Sequence, residues 1–233
     1  MQELDLYGEI QEYLDFEEEI EALYKAILSE VIQKEPQTLI DIGCGQGEFC
    51  NFVQYNGIKP LGIDLSKTQI ELAKQKFPNL LFKAIDIAQV DTKYDCATAI
   101  FDVVNYISQS NLKTFFKSTN NLLEKNGYFI FDINTHFGFE EIAQGTLIID
   151  DEDTFIGIDA NFKENVLYTD MTLFTKENSS YNKQKGTIKQ YFHQNKILES
   201  TLEECGFIVE KFISFSLHSE EKNDKLILVC KKI

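Results

Sequence analysis

The sequence predicts an α/β fold in which a mostly parallel sheet of seven strands carries helices on both faces, an arrangement called doubly wound. Short apolar runs alternate with amphipathic stretches over residues 38–133, and such alternation is typical of parallel strands joined by helices. The last two apolar runs, 207–215 and 226–231, flank a turn-prone stretch. They predict an antiparallel hairpin at one edge of the sheet.

The elements of this core are predicted in order from the apolar pattern. The strand candidates are 38–42, 60–64, 80–85, 95–100 and 127–133, and the helix candidates between them are 46–55, 67–77 and 110–124. The helix at 67–77 has a clear start, because Ser66 and Gln69 form a capping-box pattern. Before the core, helical spacing of apolar residues over 9–34 predicts one or two helices.

Residues 145–192 break this pattern and predict a small antiparallel β insertion after the fifth strand. The β-rich segments are 148–149, 155–158, 166–168, 171–174 and 188–192, with turn-like clusters at 178–180 and 182–186. A helix at 194–205, ended by Gly206, follows. We therefore divide the chain into an N-terminal helical lid segment (1–35), a core (36–143 and 194–233) and an insertion (144–193).

The charge composition narrows the classes of partner. The formal net charge is −16, and all 22 basic residues are lysine. Arginine dominates the recognition of phosphates and base edges, so general nucleic-acid binding is not expected. The five scattered cysteines form no Cys-x-x-Cys pair, and neither a disulfide framework nor a metal site is expected.

The N-terminal sequence and the length of the apolar runs indicate where in the cell the protein is found. No apolar run approaches the roughly 18 to 20 residues needed to cross a bilayer. The first positively charged side chain is Lys25, which argues against a signal or transit peptide. We expect a cytoplasmic protein that does not associate with membranes.

A glycine-rich turn follows the first predicted strand, in the segment 41–47 with the sequence DIGCGQG. Glycines allow positive φ angles and a close approach of the backbone to a ligand. Asp64 ends the next strand about 20 residues later, where doubly wound folds place an acid on ribose hydroxyls. The ligand should lie beyond the carboxyl ends of the strands.

The details of this turn favour one cofactor. Glu48 stands where a dinucleotide fingerprint requires its third glycine, and no Gly-Lys-Ser/Thr follows as in a P-loop. An acid before the glycines, Asp41, would repel a pyrophosphate. It suits S-adenosylmethionine (SAM), which has no phosphate and carries an amino cation.

Several segments together resemble the class I SAM-dependent methyltransferases, whose core is called Rossmann-like. The segments DIGCGQG (41–47) and GIDLS (62–66) resemble the first and second motifs, and DI (86–87) resembles the adenine-contacting position. YDCATA (94–99) followed by Phe101 resembles the fourth-strand motif, and LEKNGY (123–128) the loop into the fifth strand. Order and spacing match across residues 37–133, and the edge hairpin is also a family feature.

The resemblance implies SAM as the methyl donor and S-adenosylhomocysteine (SAH) as the product. Asp41 would orient the methionine part, Asp64 would accept both ribose hydroxyls, and Asp86 would contact the adenine amine. Phe101 would flank the sulfonium or methionine region. The implied cofactor-binding residues are Asp41, Gly43, Cys44, Gly45, Asp64, Leu65, Asp86, Ile87 and Phe101.

Methyl transfer from a sulfonium is an in-line displacement, in which the protein mainly positions the acceptor and excludes water. A base is needed only where the acceptor must lose a proton early. The candidates for acceptor contact are His136 after the fifth strand, Tyr106 and Asn105 after the fourth, and Tyr7 and Tyr13 in the N-terminal segment. For each of them a purely structural role remains the alternative, whereas His193 and His218 are expected to be structural or exposed.

The segment FDINT (131–135) and the insertion resemble the small-molecule branch of the family, which includes N-methyltransferases of amino sugars. In that branch the insertion covers the acceptor site and can mediate dimerisation. We therefore expect methylation of N or O on a small molecule, and a homodimer through the insertion.

Three alternative functions stay open at this point. One is methylation of modified tRNA, for which the basic cluster to inspect is Lys183, Lys185, Lys189 and Lys196. Another is a noncatalytic SAM-binding sensor or partner subunit, which a closed acceptor pocket would favour. The third is a nicotinamide-dependent oxidoreductase, against which Glu48 speaks.

Overall fold

The computed structural model describes residues 2–11, 13–14, 17–218 and 222–233, with only the backbone of residues 2 and 17–19. Two helices precede the core: α1 (Gln2–Gln11) and α2 (Glu17–Ile32). The core then runs β1 (Thr38–Ile42), α3 (Glu48–Tyr55), β2 (Lys59–Asp64), α4 (Lys67–Lys76), β3 (Leu81–Ala84), β4 (Tyr94–Ala99), α5 (Leu112–Asn121) and β5 (Leu123–Asn134). Four further strands follow, β6 (Gly145–Asp150), β7 (Thr154–Lys163), β8 (Val166–Glu177) and β9 (Ser180–Tyr191), and then α6 (Asn195–Glu204), β10 (Phe207–Phe215) and β11 (Lys225–Lys232).

The large sheet has seven strands in the order β10-β11-β5-β4-β1-β2-β3. Strands β1 to β5 pair in parallel, and β11 pairs antiparallel with both β5 and β10. The predicted fold class, including the C-terminal edge hairpin, is confirmed. No helix in the described part of the chain is long and apolar enough to cross a membrane.

The insertion is a four-stranded antiparallel sheet in the order β6-β7-β8-β9, and two sequence-based boundaries within it are wrong. The predicted segments 166–168 and 171–174 are one strand, because Leu167, Thr169, Met171 and Leu173 continue a single buried face through it. The predicted turn at 182–186 lies inside β9. Its Gly186 pairs with Met171 and lies against Leu6 of α1, so a small residue there allows the helix to pack on the strand.

Two other boundaries also differ from the prediction. Strand β5 begins at Leu123 rather than at 127, because the Lys-Asn-Gly segment is taken up by a register shift against β4. Helix α1 begins at Gln2, earlier than the helical pattern from residue 9 indicated.

The core has one apolar layer on each face of the large sheet. Phe116, Phe129, Phe131 and Phe207 pack on one face, and Leu23 and Ile27 of α2 cover the other. A third apolar cluster joins Leu6 and Ile10 of α1 to the inner face of the inserted sheet, through Ile156, Met171, Leu173 and Ile188. The insertion is therefore packed onto the N-terminal helix, which places that helix beside the core.

Two glycines with the same backbone conformation give a matched test of packing in this fold. Gly47 has φ +86°, and a Cβ there would lie 2.4 Å from Phe82 Cζ, whereas Gly57 has φ +80° and open space around it. We expect Gly57→Ala to lower the free energy of unfolding by about 1–2 kcal/mol, the cost of a left-handed alanine. Gly47→Ala should cost about 1–3 kcal/mol more, because Phe82 must also move. Urea denaturation of both variants measures the difference, and equal losses would contradict this packing.

Candidate active site

A cavity of about 800 Å³ lies beyond the carboxyl ends of the parallel strands. Its walls come from the segments that follow β1, β2, β3 and β4, and from helices α1 and α2. All nine residues that the sequence assigned to the cofactor line it, namely Asp41, Gly43, Cys44, Gly45, Asp64, Leu65, Asp86, Ile87 and Phe101. Residues far apart in sequence converge here because parallel strands end at the same edge of the sheet.

The glycine turn is fixed to the end of β2. The amides of Gly43 and Cys44 both donate to the carbonyl of Ile63, at 2.8 and 3.0 Å. The amide of Gly45 donates to Asp64 Oδ2 at 3.0 Å. The two cofactor motifs are thus held together by hydrogen bonds before any ligand is considered.

Asp41 is a buried acid at the floor of the cavity, 3% exposed. Its Oδ1 accepts from Thr98 Oγ1 at 2.7 Å, and the Cys50 thiol lies 3.9 Å from Oδ2. Burial raises the pKa of this carboxyl to about 7. None of the described ion pairs includes Asp41.

Asp64 connects the glycine turn to the start of α4. Its Oδ1 accepts from the Ser66 amide at 2.8 Å, while Oδ2 holds the Gly45 amide. Burial raises the pKa of Asp64 despite these hydrogen bonds. A carboxylate offers about four acceptor positions, so Asp64 can still accept from a ligand.

The capping residue of α4, Ser66, also contacts helix α1. The Ser66 hydroxyl accepts from the Gln69 amide at 3.1 Å, as the sequence predicted, and donates to the Asp5 carboxylate of α1. Gly8 of α1 lies against the Gln69 side chain. Helix α1 is therefore attached to the cofactor side of the cavity.

Asp86 and Ile87 follow β3 at the outer rim. The Asp86 carboxylate accepts from the Ala88 amide at 2.8 Å, and the Asp86 amide donates to Gln89 Oε1 at 3.0 Å. This reciprocal cap holds the backbone of the rim in one conformation.

The acceptor candidates divide into two groups. Tyr7 of α1 and Tyr106, after β4, both line the cavity. Burial raises the pKa of both phenols, and for Tyr106 the neighbouring Tyr7 adds to the effect. Both therefore remain protonated near neutral pH and can donate a hydrogen bond.

His136 is not brought to the cavity. The chain after β5 is tied to the start of β11, because the Thr135 amide donates to the Asp224 carbonyl at 2.9 Å. The His136 side chain is half exposed, with Nδ1 3.1 Å from Glu140 Oε2, and its ring packs edge-on against Phe162 and Phe192.

The other sequence candidates have structural contacts. Asn105 is buried, donates to the Tyr191 carbonyl at 2.9 Å and accepts from the Asn134 amide at 2.9 Å. Tyr13 is 41% exposed and its hydroxyl lies 3.4 Å from Thr154 Oγ1. His193 is buried beside the Val104 carbonyl at 3.2 Å.

The insertion does not line the cavity among the residues described. Helix α1 forms one wall of the cavity, through Leu4, Tyr7, Gly8 and Gln11. The inserted sheet holds the opposite side of that helix through Leu6 and Ile10. The insertion therefore contacts this wall of the cavity from behind, and its cover over an acceptor stays a prediction.

Several residues of the site were missed at the sequence level. Glu21 and Tyr24 of α2 line the cavity, and the Tyr24 ring lies edge-on to Phe101 at 5.5 Å between centroids. Nothing local marks them, since they belong to an ordinary amphipathic helix. Asp132 lies behind the cavity wall and was also missed. Its position inside the apolar strand β5 could have marked it, because a buried acid requires a partner.

The described residues contain no group of side chains suited to hold a metal ion. Two features of the cavity fit SAM. Asp41 provides a buried carboxylate for an amino cation, and Asp64 provides acceptors for ribose hydroxyls at the turn where doubly wound folds bind nucleosides.

The chain is similar to known methyltransferases. Residues 13–209 match the family described as "Methyltransferase domain". YqeM of Bacillus subtilis, named a candidate methyltransferase, is 28% identical over 188 residues, which cover 74% of each chain.

Solved structures share the fold. A SAM-dependent methyltransferase from Clostridium acetobutylicum superposes with a TM-score of 0.79 at 19% identity, covering 96% of this chain and 94% of that one. The amino pentose methyltransferase CalS10 from Micromonospora echinaspora, solved with SAM bound, gives 0.69 at 13% identity, covering 94% and 91%. The chain belongs to the class I SAM-dependent methyltransferases.

Proposed function

We propose that this methyltransferase transfers the methyl group of SAM to the amine nitrogen of a small molecule. The observation that carries the proposal is the charge of the cavity. Six carboxylates line it, namely Glu21, Asp41, Glu48, Asp64, Asp86 and Asp102, against the single lysine Lys76 among the described lining residues. That lysine is paired with Glu48, while Glu21 is paired with Lys25 and Asp102 with Lys225 behind the cavity wall. Asp41, Asp64 and Asp86 therefore carry the negative charge that no described ion pair offsets.

Such a cavity favours cations and disfavours acidic acceptors, because like charges in a partly buried site repel strongly. SAM itself carries a sulfonium and an amino cation, and an amine acceptor shares their sign. Phosphate and carboxylate acceptors would meet repulsion. The structural relative CalS10 is an amino pentose methyltransferase, and an amino sugar as its substrate class agrees with an amine acceptor here.

The size and lining of the cavity support a separate acceptor region. About 800 Å³ lies near the upper end of the roughly 300–1,000 Å³ typical of small-molecule sites. Leu4, Tyr7, Leu14, Ile20 and Tyr106 form an apolar and aromatic part of the lining. Room beside the cofactor argues against a noncatalytic sensor with a closed acceptor pocket.

The residues present suggest how the reaction is arranged. When bound, SAM would supply an activated methyl group. The amine would first lose its ammonium proton to solvent, and its nitrogen lone pair would then take the methyl group as the carbon–sulfur bond breaks. SAH and an N-methylated ammonium would be left. The protein has to hold the two reactants in line and exclude water. We propose that Tyr7 and Tyr106 orient the amine as hydrogen-bonding partners rather than as bases, because their raised pKa keeps them protonated.

The tRNA alternative has weaker support. Lys183, Lys185, Lys189 and Lys196 are exposed, but none of them lines the cavity. Lys183 and Lys189 lie over the rings of Phe174 and Tyr168 on the outer face of the inserted sheet.

A homodimer through residues 144–193 stays a prediction. Its support is the outer face of the insertion, where Ile148, Phe155, Tyr168 and Tyr181 are exposed. Exposed apolar surface of this kind is typical of interaction sites.

The placement of the ribose predicts the effect of Asp64→Ala. We expect SAH binding to weaken by about 1.5–3 kcal/mol, roughly ten- to hundredfold, because a charged acceptor of hydrogen bonds is lost. Asp95→Ala is the matched control. Asp95 also accepts from two backbone amides, at 3.0 and 2.9 Å, but it lies near the amino ends of the strands, away from the cavity. Calorimetric titration measures both variants, and equal affinity of Asp64→Ala and the wild type would refute the placement.

Asp41 predicts a pH dependence of binding. Burial raises its pKa to about 7 in the free protein, and an amino cation binds the ionised form. SAH affinity should therefore be highest above pH 7 and fall about tenfold between pH 8 and pH 6 as the carboxyl takes up a proton. In Asp41→Asn the affinity should be lower and nearly independent of pH over this range. A wild-type profile that matches the variant's would exclude Asp41 as the titrating group.

The acceptor class is tested with a matched pair of substrates. An amino pentose and the same pentose with a hydroxyl in place of the amine are incubated with the enzyme and SAM, and SAH release is followed. We expect the amine to react at least about tenfold faster, with a rate that rises between pH 7 and pH 9 as the free amine increases. Equal rates, or a preference for the matching sugar acid, would contradict an amine acceptor.

A further inference from the structure

A buried ion network lies behind the turn that follows β4. The side chain of Lys225, at the start of β11, is 3% exposed, and it contacts the Asp102 carboxylate. Its Nζ also donates to Asp132 Oδ2 at 2.9 Å and to Asn134 Oδ1 at 3.1 Å. A buried ammonium is costly unless it is paired, so these acceptors fix the position of Lys225.

Asp132 holds the backbone of the turn. Its Oδ1 accepts from the Phe101 amide at 2.7 Å, and its Oδ2 lies 3.3 Å from the Asp102 amide. Phe101 and Asp102 both have left-handed φ angles, +60° and +61°. Two successive non-glycine residues adopt this conformation only when surrounding contacts hold them, because each costs about 1–3 kcal/mol.

This turn is a wall of the cofactor cavity. Phe101, Asp102 and Val103 all line the cavity. Val103 also rests on the glycine turn, since a Cβ at Gly43 would lie 2.6 Å from Val103 Cγ2. A shift of the turn would therefore change the space next to the first cofactor motif.

The insertion reaches the same point. Asp102 Oδ2 accepts from Gln190 Nε2 of β9 at 3.3 Å. The C-terminal hairpin, strand β5 and the inserted sheet thus all meet at the two carboxylates that flank Lys225.

We propose that Lys225 is a positioning residue for cofactor binding. It acts through Asp132 and Asp102 to hold the Phe101–Val103 turn in the conformation that shapes the cavity, and it is not itself a lining residue. The inference rests on the placement of SAM in this cavity and does not depend on the acceptor.

The test compares two lysines of the same strand. Lys225→Met removes the cation from the network. Lys232→Met removes a lysine at the other end of β11, where Nζ donates to the carbonyls of Asn120 and Leu123 at 2.7 and 2.8 Å. We expect Lys225→Met to weaken SAH binding at least about tenfold and Lys232→Met less than about threefold, by calorimetry on proteins shown to be folded by circular dichroism.

A second variant separates positioning from general destabilisation. Lys225→Met leaves Asp102 and Asp132 facing each other without a cation, and adding Asp132→Asn removes one of those charges. The asparagine oxygen can still accept from the Phe101 amide. We expect the double variant to bind SAH at least about threefold more tightly than Lys225→Met alone. A purely structural role would instead lower the free energy of unfolding of Lys225→Met, measured by urea denaturation, while the folded variant binds SAH as tightly as the wild type.

The possible outcomes are distinct. Unchanged affinity in Lys225→Met, an equal loss in Lys232→Met, or no recovery in the double variant would each overturn the proposal. If Lys225→Met does not fold, Lys225→Gln keeps a donor without the charge, and the same criteria apply to it. If the wild type failed to bind SAH, the cofactor placement would fall and this proposal with it, whereas differences among the variants concern Lys225 alone.

Discussion

The carboxylate of Asp41 is buried at the end of β1, and none of the described ion pairs supplies it with a cation. A buried carboxylate without a cationic partner is unfavourable, and this cost is why the pKa of Asp41 is raised. Asp41 lies near the carboxyl end of β1, where a cationic ligand in the cavity can offset this cost. Asp64 and Asp86 extend the same negative field along the cofactor motifs.

The cover of the site depends on a second constraint, the packing of α1. One side of this helix lines the cavity, and the other buries Leu6 and Ile10 against the inserted sheet. A ten-residue helix is marginally stable alone, so its position comes from tertiary contacts. The insertion therefore supports one wall of the cavity, although none of the described lining residues belongs to it. The Asp5–Ser66 contact joins α1 to the cofactor motifs.

Charged residues far from the cofactor motifs support one wall of the cavity from behind. Lys225 and Asp132 belong to adjacent antiparallel strands, which pair here near the carboxyl end of β5 and the amino end of β11. Their ion pair supports a turn whose backbone would otherwise be strained. The hairpin of β10 and β11 forms one edge of the sheet, and through Lys225 it also contacts the turn that lines the cavity.

The sequence by itself determined the parallel core, the glycine turn and the acids at the ends of β2 and β3. Each of these depends on a local pattern: apolar runs of strand length, glycines at left-handed positions, and a fixed spacing to the next strand end. Only the tertiary structure decided which of the candidate tyrosines and histidines meet the cavity. His136 follows the end of β5 at Asn134 more closely than Tyr106 follows the end of β4 at Ala99, yet contacts with the loop before β11 direct the chain at His136 elsewhere. The same holds for Lys225 and α1, because their roles come from pairings between segments distant in sequence, which no local pattern records.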